Sequence, residues 1–219
     1  MKKPLLAATL PVLGALVLAV PAVAAPPADY TVSVGGSSTP GTHAFTATSG
    51  LTQVVVNGVT MTCTSTSVSG VVHSGTAVQP IADVTSSTWN GCTDNFGTPL
   101  TVVQIGTWHL NGNDVNVHAG LIDAHVIGNI SGINAHVYDT GLSGLCDFTV
   151  GGVADGWFNE TSSPQALHVT ENGTDSSLKV TSLASSTSDC LGAVYPGAPA
   201  QFYGDYAINV PHGAVDVAP

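Results

Sequence analysis

No window of the chain beyond residue 24 joins helical periodicity to helix-forming residues. Glu occurs only as Glu160 and Glu171, while Val, Thr, Ser, Gly and Asn dominate, and such residues favour strands and turns over helix. Apolar residues alternate instead. Phe202, Gly204, Tyr206, Ile208 and Val210 share one face, and Val115, Val117, Ala119 and Leu121 alternate with Asp114, Asn116 and His118. Asn-Gly pairs predict the turns: Asn57-Gly58 between Val54-Val55-Val56 and Val59-Thr60-Met61, and likewise Asn111-Gly112 and Asn172-Gly173. About a dozen short strands with turns every 8–12 residues predict an all-β, antiparallel sandwich or closed barrel.

The first 24 residues read as a signal peptide. Met1-Lys2-Lys3 is a positive head, Pro4 to Val20 is apolar, and Ala22-Val23-Ala24 fits the small-x-small cleavage pattern. The apolar run is barely long enough to span a bilayer and is broken by Pro4, Pro11 and Gly14. Cleavage there leaves residues 25–219 as one secreted domain with no membrane anchor.

Four cysteines, Cys63, Cys92, Cys146 and Cys190, in an exported chain predict two disulfides. A faint duplication favours Cys63–Cys92 with Cys146–Cys190. Ser86-Ser87-Thr88 precedes Cys92 as Ser185-Ser186-Thr187 precedes Cys190, and Trp108-His109-Leu110-Asn111 echoes Tyr206-Ala207-Ile208-Asn209. The units are 51–111 and 145–209, joined by a hairpin over 114–139. No close C-x-x-C spacing suggests a zinc site instead.

Cys63, Trp89-Asn90-Gly91-Cys92, Gly106-Thr107-Trp108-His109-Leu110-Asn111, Ile130-Ser131-Gly132-Ile133-Asn134-Ala135-His136-Val137, Cys190-Leu191-Gly192 and Phe202-Tyr203-Gly204-Asp205-Tyr206 occur in that order. This arrangement resembles small secreted β-rich proteins of actinobacteria, over most of the chain. The resemblance implies export and β structure and carries over no catalytic residue.

Lys2, Lys3 and Lys179 are the only basic residues, there is no Arg, and the formal charge is −11. No Arg fork can clamp a phosphate or carboxylate, and no basic patch can follow a nucleic acid. Catalytic motifs are missing as well. Gly141-Leu142-Ser143-Gly144-Leu145 lacks the spacing of a serine-hydrolase elbow, and neither a P-loop nor H-E-x-x-H occurs. Glu160 and Glu171 read as solvated strand-end charges rather than a glycosidase pair. Asp155-Gly156-Trp157-Phe158 reads as a turn followed by core aromatics rather than a sugar platform.

Histidine is the conspicuous residue type, with eight copies. A turn over Asn129 to Gly132 would set His125 opposite His136, with Asp123 on the same face, a donor set for Zn²⁺ or Cu²⁺. The alternative makes Ile127 to Val137 one continuous strand. His109 and His168 read as surface residues, and Asn111 to Asp114 and Glu171 to Asp175 offer oxygens without a calcium-loop pattern. The expected function is a non-enzymatic structural or binding role at the cell envelope or outside the cell. Its partners would be an envelope polymer, a glycan or a second copy. The alternatives are a metal- or glycan-binding module, an envelope pore and an unrecognised hydrolase.

Overall fold

A computed structural model describes residues 29–116, 125–141, 144–170 and 177–218. Asp123, His118, Glu171 and the Asn172-Gly173 pair lie outside them. The described chain forms strands and no helix, as the residue pattern predicts. The strands are β1 (Tyr30–Val34), β2 (Gly41–Ser49), β3 (Thr52–Val56), β4 (Val59–Cys63) and β5 (Ser65–Val78). Next come β6 (Ala82–Asn90), β7 (Cys92–Asp94), β8 (Pro99–Gln104), β9 (Trp108–Asn116) and β10 (His125–Asp139). The last are β11 (Asp147–Asn159), β12 (Ala166–Thr170), β13 (Lys179–Leu183), β14 (Ala200–Asn209) and β15 (Val215–Ala218).

All named pairings are antiparallel, and ten strands close a ring in the order β14-β3-β4-β7-β8-β10-β9-β6-β5-β2. Much of the wall is made of bent strands. β2 runs end to end with β3, β4 with β5, β6 with β7 and β8 with β9, each pair of segments sharing its flanking strands, and β12 and β13 both pair with β11. The chain therefore winds up and down, and β14 pairs with β12 on one edge and with β2 and β3 on the other to complete the wall. Closure leaves few free strand edges for association with other chains.

Local sequence sets the corners. Asn57 and Gly58 have φ of 46° and 86°, the left-handed conformation a two-residue hairpin needs. Gly91, with φ of 58°, bends β6 into β7, and a Cβ there would lie 2.5 Å from Thr64 Oγ1, beside the bend of β4 into β5. The Cys63–Cys92 disulfide ties these two bends together, and Cys146–Cys190 fastens the β13–β14 loop to the start of β11. Both bridges are the ones the duplication favours.

Alternation fills the interior. Phe202, Gly204 and Tyr206 of β14 are buried, as are Val126, Ile130, Ile133, Ala135 and Val137 of β10. Inside the wall, Thr52 Oγ1 and Thr66 Oγ1 lie 2.9 Å apart, and Thr66 bonds the Tyr206 hydroxyl, whose acidity burial suppresses. Small polar groups are tolerated there because they satisfy one another. The ribbon of β1 and β15 lies over one mouth, with Tyr30, Val32, Val215 and Val217 buried beneath it. The opposite mouth is covered by the β13–β14 loop, which buries Val194 and Ala198.

One predicted turn is absent, and one open choice is decided. Asn111-Gly112 makes no turn: it lies inside β9, where Gly112 lets the Tyr30 ring approach, since a Cβ would sit 2.5 Å from Tyr30 Cε2. Of the two readings of Asn129 to Gly132, the continuous strand is the one found. β10 continues through those residues, pairing with β11 from His125↔Asn159 to Tyr138↔Asp147 and antiparallel with β9 from His125↔Asn116 to Ser131↔His109.

Candidate functional site

The wall contains a window. β6 pairs with β9 at Ala82↔Leu110, Asp83↔His109 and Val84↔Trp108, and β7 pairs with β8 at Cys92↔Leu100 and Thr93↔Pro99. Both ladders have the same register. Its continuation would set Thr88 opposite Gln104 and Asn90 opposite Val102, yet no ladder joins these residues. The bends at Gly91 and at Ile105 to Thr107 hold the two ladders apart between their paired ends.

A groove of about 540 Å³ occupies this opening. Its rim carries hydroxyls from Thr85, Ser86, Ser87, Thr88 and Thr107, and Trp89 and Val102 also border an apolar cavity of about 50 Å³ behind it. Gln104 closes one end: its Nε2 donates to Val84 O at 3.0 Å and to Gly106 O at 2.9 Å. Its Oε1 is buried with no partner among the described residues, as is Nε1 of Trp108, which is only 6% exposed. Trp89 Nε1 donates to Ser87 Oγ at 2.9 Å while its ring packs on Phe202, with centroids 5.7 Å apart. No titratable side chain lines the groove. It therefore suits a neutral ligand rich in hydrogen-bonding groups.

Outside the window, imidazoles meet carboxylates across the outer face. His73 Nε2 lies 2.9 Å from Asp83 Oδ2 and His109 Nδ1 lies 2.6 Å from Oδ1. His136 and Asp147, and His168 and Asp205, each form a 2.6 Å contact. Burial works against ionisation of Asp83, but the bonds and charges of His109 and His73 outweigh it and hold the carboxyl below its usual range. His109 and His168 are thus outer-face residues, as expected, and each has an acidic partner that spacing did not reveal.

The proposed His125–His136 metal pair is not assembled. Both lie on the single strand β10, eleven residues apart, a span of roughly 35 Å at the usual strand rise. His136 bonds Asp147, and His125 packs on Trp157, with ring centroids 4.4 Å apart. No group of three His, Cys, Asp or Glu among the described residues is placed to hold a metal ion. Asp155 to Phe158 is not a turn but part of β11. Trp157 stands between His125 and His168, the latter stacked 16° from parallel at 3.8 Å, so neighbouring rings occupy the space a sugar would use.

Glu160 is not a solvated strand-end charge. It is half-buried, its Oε1 accepts the Val217 N–H at 2.5 Å, and burial pushes its pKa up to about 7, with the backbone bond lowering it and Asp216 raising it.

No protein-family model matches this chain, and no curated protein and no solved structure matches it.

Proposed function

We propose that the protein is exported and works by binding outside the cytoplasmic membrane, at the cell envelope or beyond it, taking a neutral polyhydroxylated ligand such as a glycan in the β6–β8 window. The observation that carries this reading is a roomy groove whose rim supplies five hydroxyls and no titratable group. No ionisable side chain lines the groove itself, so its lining supports binding. Tryptophan at the floor adds an apolar contact for a sugar ring's C–H face.

Export is supported by the positive head, apolar run and small-x-small site at the N-terminus. The two disulfides call for an oxidising environment. With 14 acidic residues against three lysines, the chain repels nucleic acid and anionic lipid, and a neutral polymer meets no such barrier.

A glycan array followed by calorimetry tests the reading. The protein should bind neutral oligosaccharides, and Thr88→Trp, which fills the groove from an exposed rim position, should weaken binding at least tenfold. Silence across neutral glycans, or equal binding by Thr88→Trp, would refute the assignment.

A further inference from the structure

The ribbon over the first mouth is held unequally along its two edges. On one edge, β15 pairs with β1 from Thr31↔Ala218 to Val34↔Val215. On the other edge no strand among the described residues adjoins it, and side chains of the β11–β12 connection stand in for one. Gln165 Nε2 donates to Val215 O at 2.7 Å, and Gln165 Oε1 accepts the Val215 N–H at 2.9 Å. Glu160 Oε1 accepts the Val217 N–H, and Gln165 Nε2 also donates to Glu160 O, tying the two clamps together.

Beneath β15 lies an apolar cavity of about 70 Å³ bordered by Phe45, Val72, Phe158, Leu167 and Ile208, with Val215 and Val217 as its cover. Lifting this one short strand would open that cavity to solvent, while the ring itself stays closed.

We propose that β15 is a releasable cover, that Glu160 is its latch, and that the uncovered cavity accepts a small, uncharged apolar molecule. A protonated Glu160 sits in its half-buried place at little cost and still offers an oxygen to the Val217 N–H. An ionised one is held there against desolvation and against Asp216 on β15 itself. Among the described residues no cation offsets that charge. β1 (Tyr-Thr-Val-Ser-Val) brings no charged residue, and its Ser33 bonds Asp216. On β12, His168 is bound to Asp205 of β14, and the remaining carboxylates of β11 are Asp147, bound to His136, and Asp155. Rising pH therefore favours release.

Amide exchange and a neutral dye test this together. In the wild type, protection of the Val215 and Val217 amides, corrected for intrinsic base catalysis, should fall about tenfold between pH 5.5 and 8.5, within the roughly thirtyfold that linkage allows over that interval. Nile red fluorescence should rise over the same interval. Glu160→Gln should keep protection high and fluorescence low throughout. A cross-link between Thr31→Cys and Ala218→Cys, which leaves Glu160 and Asp216 in place, should abolish both responses. Equal pH dependence in wild type and Glu160→Gln would overturn the latch, and dye binding that survives the cross-link would overturn the cover.

Discussion

His109 Nδ1 and Asp83 Oδ1 approach to 2.6 Å from directly paired positions on β9 and β6, and Asp83 uses its second oxygen for His73 on β5. One carboxylate thus laces three wall strands immediately beside the window. Asp83→Asn should cost about 1 kcal/mol at pH 6, the scale of a partly exposed charge-assisted bond. Because the folded-state pKa of Asp83 is lowered from 3.8, its contribution is present above that value and is lost as pH falls through the lower folded one. Urea midpoints between pH 2 and 6 should fall toward acid in the wild type, and Asp83→Asn should show less of that fall.

Glu160 has the opposite sign. Its folded pKa of about 7 lies above the ordinary 4.5, so the folded chain keeps a proton that the unfolded chain releases. The stabilisation is complete below 4.5 and disappears as pH rises through 7. Glu160→Gln should therefore match the wild type at pH 4 and exceed it at pH 8 by about 1 kcal/mol, a figure already reduced for solvent screening. Thermal melts at the two pH values decide the matter; a stabilisation at both would remove ionisation as its cause.

Gly70 lies where β5 meets β6 at a register shift, and a Cβ there would fall 1.9 Å from Asp83 O and 2.8 Å from the Phe45 ring. Main chain cannot yield cheaply. Gly70→Ala should cost about 2–4 kcal/mol, which calorimetry would read as a melting temperature lower by roughly 6–12 °C for a chain of this size.

The disulfides span 29 and 44 residues, so removing either should cost about 4 kcal/mol in the chain-entropy account. Their local effects should differ. Cys146→Ala with Cys190→Ala frees the loop over the second mouth, and limited proteolysis should then cut first between Ser185 and Pro199. Cys63→Ala with Cys92→Ala should leave that loop protected and loosen the bends at Thr64 and Gly91 instead.

What could be read from the amino acids was what neighbouring residues decide. The Asn57-Gly58 hairpin, the inward face of β14 and the sulfur pairing follow from short-range patterns and from an echo between two halves. The closed wall did not, because pairing β14 with both β2 and β3 joins residues more than 140 positions apart. Asn111-Gly112 misled because glycine serves close approach as well as turning, and only the position of Tyr30 tells which. The window was invisible for another reason: Thr85 to Trp89 and Val102 to Gln104 carry ordinary strand residues, and bends elsewhere keep them apart. Likewise, nothing local marks Glu160 as a clamp, since Val217 reaches it from the far end of the chain.

Lys179 has a bearing on survival among secreted proteases. Beyond Lys3 it is the only site in the sequence where a trypsin-like enzyme could cut, and it is paired with Gly151 in β13 while its neighbour Val180 hydrogen-bonds the chain at Gly197 and Ala198. Cleavage there requires an extended, detached peptide, so digestion must wait for the sheet to come apart. For enzymes of that specificity, the lifetime of the molecule is set by how often it unfolds.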